Sequence, residues 1–146
     1  MSMEYHHVKI KGLKIGQNAP VRVESMLKEP LSDYNKALGQ CEALQDAGCE
    51  LLRVAFPHAD LKAELSQLNK DLDMAVMADI HFDPDLAIEA IDAGCPAIRI
   101  NPGNMSPFKL QKLIEVALER DIVIRVGANS GSINYRQLLE AQGDRA

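Results

Sequence analysis

A nine-residue pattern occurs twice in this chain. Asp46-Ala47-Gly48-Cys49-Glu50-Leu51-Leu52-Arg53-Val54 returns as Asp92-Ala93-Gly94-Cys95-Pro96-Ala97-Ile98-Arg99-Ile100, with Asp, Ala, Gly, Cys and Arg in register. In each copy a helical pattern closes on glycine, and a short apolar run then ends at an arginine. Parallel strands need a crossover connection, usually a helix, so repeated helix–strand units dictate a parallel sheet.

The rest of the chain is read around that unit. Residues 8–16 alternate apolar and polar side chains around Gly12, a hairpin signal expected to form a small lid. Pro20 precedes a first main strand over residues 21–26. Ser32-Asp33 start a helix from about Tyr34, with Leu38, Cys41 and Leu44 at helical spacing and Gly48 at its end. Further strands are expected over residues 50–56, 74–80, 97–100 and 122–126. Helices are expected over residues 59–70, from Pro84, over 107–120 and over 135–142. Strands apolar on both faces fit a parallel sheet covered by helices.

No G-x-G-x-x-G follows the first strand and no Walker loop is present, so an open nucleotide-binding sheet loses ground. Polar groups at every strand end favour a barrel, whose sites gather at that face. A full barrel usually takes about 250 residues, and this chain holds about five βα strands. The expected fold is therefore α/β: a partial (βα) TIM-type barrel with parallel strands, preceded by a small N-terminal β-hairpin. Residues 1–19 form the tail and hairpin and residues 20–146 the barrel part. Two open strand edges invite pairing with a second copy or with a separate C-terminal chain.

Sixteen basic and 21 acidic residues give a net charge of -5, which argues against a general nucleic-acid surface. No apolar run is long enough to span a bilayer and no signal-peptide core opens the chain, so the cytoplasm is the default. Cys41, Cys49 and Cys95 include no C-x-x-C and read as small buried side chains. An iron–sulfur cluster takes about four thiolates, more than this chain carries. His6-His7 reads as polar tail, and no metal site is expected.

Four stretches carry the chemistry. They are Leu52-Arg53-Val54, Ala78-Asp79-Ile80-His81-Phe82-Asp83, Ile98-Arg99-Ile100-Asn101-Pro102-Gly103-Asn104 and Ile124-Arg125-Val126-Gly127-Ala128-Asn129. Residues two apart on a strand share a face. Asp79 and His81 therefore share one, as do Arg99 and Asn101, and Arg125, Gly127 and Asn129. With Arg53 beside them the site holds three guanidiniums against one carboxylate. A single arginine is most simply a surface ion pair, but three at equivalent strand ends ask for a polyanion. Guanidinium forks suit phosphate oxygens, and Pro102-Gly103-Asn104 and Asn129-Ser130-Gly131 offer backbone N–H groups. Asp79 is expected to fix the His81 tautomer, with His81 donating to substrate. Asp83 reads as a helix cap before Pro84.

In order and spacing, these motifs resemble the barrel domain of the 4-hydroxy-3-methylbut-2-en-1-yl diphosphate synthase family of the methylerythritol phosphate route to isoprenoids. Val23-Glu24-Ser25-Met26 after the hairpin matches as well, and the resemblance runs over residues 8–133. It implies reductive opening of methylerythritol cyclodiphosphate to hydroxymethylbutenyl diphosphate. It further implies a 4Fe–4S cluster on a C-terminal domain and ferredoxin or flavodoxin as electron donor. By motif, Arg53, Arg99 and Arg125 would grip phosphate, His81, Asn101 and Asn129 would orient substrate, and Asp79 would support His81.

The chain departs from that family in places. Family members usually carry Gln-Ser-Met-Thr where this chain has Glu24-Ser25-Met26-Leu27, which puts a carboxylate near the diphosphate site unless Glu24 faces outward. Asn-Ala-Gly becomes Asn129-Ser130-Gly131. The cluster cysteines are not found, so the chain alone is expected to be inactive. Two other readings stand beside this one. One is a non-enzymatic half-barrel that binds a phosphate ligand; the other is a barrel enzyme acting on a phosphorylated or pterin-like substrate.

Overall fold

The computed structural model describes residues 6–128; Asn129, Asn129-Ser130-Gly131 and the helix expected over residues 135–142 lie outside them. An antiparallel hairpin comes first, β1 (His7–Ile10) with β2 (Leu13–Gly16). Lys11 and Gly12, both at positive φ, make its turn. Five parallel strands follow: β3 (Glu24–Met26), β4 (Leu51–Ala55), β5 (Ala75–Ile80), β6 (Ala97–Ile100) and β7 (Val123–Val126). They lie in the sheet in chain order, β3-β4-β5-β6-β7. The crossovers are α1 (Tyr34–Asp46), α2 (Lys62–Asp71), α3 (Pro84–Asp92) and α4 (Pro107–Glu119).

Two expected elements start three residues late. The strand expected over residues 21–26 shortens to β3, because Arg22 turns away to the hairpin, donating to the Lys14 carbonyl and pairing with Glu50. The helix expected over residues 59–70 begins as a three-residue 3-10 turn, Ala59–Leu61, before α2.

The period of two along each strand sorts side chains between two apolar clusters. Leu52, Val54, Val76, Ala78, Ile80, Ile98 and Ile100 join the larger one, together with buried residues of α1, α2, α3 and α4. Leu51, Ala75, Met77 and Ala97 point to the opposite face, where Ile10 of the hairpin and Val123 meet them. All of these except Val123 are buried.

That second cluster corrects the expected lid. Ile10 packs against Leu51, Ala75 and Ala97, the first residues of their strands. The hairpin is a floor under the strand N-termini, at the far end from the polar strand ends. Lys11 Nζ donates to the Leu72 carbonyl at 2.9 Å and Arg22 Nε to that of Lys14 at 2.9 Å, which anchors the floor.

The repeated Ala-Gly-Cys is a helix stop. Gly48, at φ 101°, donates to the Gln45 carbonyl while Cys49 donates to that of Leu44. Gly94, at φ 96°, donates to Ile91 while Cys95 donates to Ala90. Both are Schellman caps, which use left-handed glycine to satisfy orphan carbonyls. A third copy closes α4: Asp121, at φ 56°, donates to Leu118 and Ile122 donates to Ala117. Three βα steps thus turn from helix into strand by one device, and the third lacks the glycine that marks the other two.

Candidate functional site

The same period of two decides which polar residues face inward. Arg53, Asp79, Arg99 and Arg125 have the parity of Leu51, Met77, Ala97 and Val123, so they continue the inner face above the apolar floor. Asp79 aligns with Arg99, and Arg99 with Arg125, across three neighbouring strands. Glu24 pairs in register with Leu51 and joins the same face. The result is one charged layer contributed by all five strands.

Asp79 is the hub of this layer. It is only 1% exposed, and a buried carboxylate must be paired to be tolerated. Arg53 Nη2 donates to its Oδ2 at 2.6 Å and Arg99 Nη1 to its Oδ1 at 3.4 Å. Both carboxylate oxygens are thereby spent on guanidiniums. Among the described residues no hydrogen bond joins Asp79 to His81, so the expectation that Asp79 fixes the His81 tautomer gives way to a different role. Asp79 holds two arginines in place. The physical reason is competition: the two guanidiniums make charge-assisted bonds to both carboxylate oxygens, and His81 stands exposed at the rim.

Glu24 also faces inward. Arg125 Nη1 lies 2.8 Å from both of its carboxylate oxygens, and Arg53 Nε lies 3.5 Å from Oε1. β3 and β7 are the outermost strands among the described residues, so a direct ion pair between them requires the sheet to curl into a trough. The charge balance changes accordingly. Three guanidiniums face two carboxylates, which leaves a surplus of one positive charge where one carboxylate alone would have left two.

Arg99 rests on Gly127, whose N–H donates to the Ile100 carbonyl at 2.9 Å. Sequence reasoning placed Gly127 on the Arg125 face but gave it no part. The available signal was its small size at an inward position beside a long side chain.

The remaining expected site residues divide. His81 follows β5, is exposed, and stands at the rim with its ring 6.2 Å from that of Phe82, centre to centre. Asp83 caps α3 by accepting from Asp85 N–H at 3.0 Å, ahead of Pro84, as its position predicts. Asn101 is buried, and its Oδ1 accepts from Gly103 N–H at 3.3 Å, starting the short turn Pro102–Asn104. One of the backbone donors expected to serve an anion is therefore already engaged.

The cysteines do not fit an iron–sulfur cluster. All three are buried and free. Burial pushes the Cys41 and Cys95 thiols up to about 11, far from the thiolate form a cluster needs. No group of three or more His, Cys, Asp or Glu side chains suited to a metal occurs among the described residues. No described helix is long and apolar enough to cross a membrane.

Comparison with solved structures returns dihydropteroate synthases. One from Yersinia pestis superposes with a TM-score of 0.68 at 19% identity, covering 94% of this chain and 52% of that one. One from Xanthomonas albilineans in complex with 7,8-dihydropteroate gives 0.61 at 15%, covering 81% and 47%. At such identities the likeness concerns the fold. Curated sequences are nearer, among them several named 4-hydroxy-3-methylbut-2-en-1-yl diphosphate synthase (flavodoxin). The protein of that name from Natranaerobius thermophilus is 42% identical over 137 residues, covering 93% of this chain and 38% of the relative. Those from Caldanaerobacter subterraneus and Aquifex aeolicus are each 39% identical over 137 residues, with the same two coverages. The chain thus spans a little over a third of the length of these relatives. The family model described as GcpE TIM-barrel domain matches residues 5–146, nearly the whole chain. The parallel curled sheet, the inward arginines of β4, β6 and β7 and this match agree: the chain belongs to the GcpE TIM-barrel domain family.

Proposed function

We propose that this chain is the substrate-binding barrel portion of an enzyme that opens methylerythritol cyclodiphosphate to hydroxymethylbutenyl diphosphate in isoprenoid biosynthesis. The observation that carries this reading is the inward layer in which Arg53, Arg99 and Arg125 surround Asp79 and Glu24. Arg99 and Arg125 lie next to the last residues of their strands, towards the end at which barrel enzymes bind their ligands. Arg99 and Arg125 are the partners for diphosphate oxygens. Arg53 and Asp79 fix the position of Arg99, so its fork is held before the ligand arrives. His81 at the rim is the proton donor or acceptor for the substrate, and Asn101 and Asn129 orient it.

The two-electron chemistry belongs to a 4Fe–4S cluster and a flavodoxin or ferredoxin donor, for which the described residues supply no ligand. The reading therefore assigns this chain binding and orientation, and places the reaction in the cytoplasm. A half-barrel that only binds a phosphate ligand would use the same arginines, so activity and binding are measured separately. Titration calorimetry with methylerythritol cyclodiphosphate should show binding that Arg99→Ala and Arg125→Ala each weaken at least tenfold. Absent binding, or binding indifferent to both substitutions, overturns the site. An anaerobic assay with reductant should show no turnover by the chain alone, and turnover would contradict the division of labour.

A further inference from the structure

Glu24 sets its own carboxylate against two of the three inward arginines. Its two carboxylate oxygens take the Nη1 edge of Arg125 at 2.8 Å each, and one of them faces Arg53 Nε at 3.5 Å. That Nε is buried and has no hydrogen-bond partner among the described residues. A carboxylate and a phosphoryl group present the same feature to a guanidinium, two oxygens at matching separation. We infer that Glu24 is a built-in counter-anion of the arginine layer, a specificity-determining residue that a phosphoryl ligand must displace from Arg125 in order to bind.

Three features bear this out physically. The side chains of Glu24 and Arg125 are 28% and 46% exposed, so their pairing is weak enough to be exchanged. Asp79, in contrast, is buried under its two arginines and stays in place. The layer therefore has one fixed carboxylate and one movable carboxylate. With Glu24 in place the layer carries one surplus positive charge, and with Glu24 swung away from Arg125 it presents two. A doubly charged phosphoryl group is repaid for displacing Glu24, whereas a singly charged carboxylate ligand gains only what Glu24 gives up. Glu24 thus selects for ligands of higher charge.

The inference rests on the phosphoryl-binding reading above, and inorganic pyrophosphate separates the two. Calorimetry is run on the full chain, on Glu24→Gln and on Glu24→Gln combined with Arg125→Ala. The glutamine keeps an oxygen for Arg125 and removes only the charge, so pyrophosphate should bind Glu24→Gln roughly fivefold more tightly than the unsubstituted chain. The added Arg125→Ala should abolish that gain. Acetate, tested alongside, should gain less than pyrophosphate. If the unsubstituted chain and Glu24→Gln bind pyrophosphate equally, the inference is overturned and the binding reading stands. If neither binds, both fall. Should Glu24→Gln fail to fold, Glu24→Asp withdraws the carboxylate by one methylene, and tighter pyrophosphate binding is again expected; equal affinity there overturns the inference.

Discussion

Gly127 lies directly under the guanidinium of Arg99: a Cβ at that position would stand 2.3 Å from Nη2 and 2.7 Å from Cζ. No side chain fits that space without moving the arginine. The obstructing group is the free end of a long side chain, so the arginine and not the backbone would yield. Gly127→Ala should therefore lift Arg99 off Asp79 and weaken pyrophosphate binding roughly tenfold. The melting temperature should fall by only about 1–3 °C. Calorimetry with a thermal melt on the same sample checks both; unchanged affinity would show that the placement of Arg99 is irrelevant to binding.

Removing the hub should cost stability. Asp79→Asn leaves Arg53 and Arg99 without their shared carboxylate in a half-buried setting, at a cost of about 2–4 kcal/mol. Urea denaturation should show a lower midpoint with little change in slope. A loss below about 0.5 kcal/mol would mean that the pairing with Asp79 contributes little to holding the layer together.

The third helix stop offers a stabilising change. Asp121 adopts φ 56° where the two equivalent positions carry glycine. Asp121→Gly should relieve the left-handed strain and stabilise the chain by about 0.5–1 kcal/mol, or about 2–4 °C in melting temperature. Gly94→Ala, with a φ of 96°, should destabilise it.

Cys95 predicts how stability depends on pH. Burial raises its thiol from the ordinary 9.0 to about 11, against the lowering effect of the Asn69 amide that donates to Sγ at 3.3 Å. Between those values the unfolded chain has released the proton that the folded chain still holds. Stability from this group is complete below about pH 9 and is lost as pH rises towards 11, by about 2–3 kcal/mol in all. Cys95→Ala should show a shallower decline than the unsubstituted chain over that window. Parallel declines would place the thiol's titration elsewhere.

Much of the fold could be read from residue order. The two Ala-Gly-Cys stops mark where helix turns to strand, and the alternation at residues 8–16 gives the hairpin because periodicity is local. Parity groups Asp79 with His81, Arg99 with Asn101 and Arg125 with Gly127, but which face is inward depends on Leu51, Met77, Ala97 and Val123 meeting the hairpin. What escaped depends on contacts between distant segments. Asp79 could pair with His81 or with two arginines, and only the packing of β4 and β6 beside β5 brings the arginines within reach. The direction of Glu24 turns on its register with Leu51. The hairpin became a floor because Ile10 finds its apolar partners at the strand starts. Asp121 hid the third stop because a residue other than glycine took the left-handed position.

The ion pair between Glu24 and Arg125 joins the outermost described strands through side chains, while neighbouring strands are held by backbone ladders. Opening the pair breaks no strand-to-strand hydrogen bond. Among the described residues the pair is thus the one part of the arc that can open without unzipping a ladder, while the hairpin floor keeps the strand starts in place.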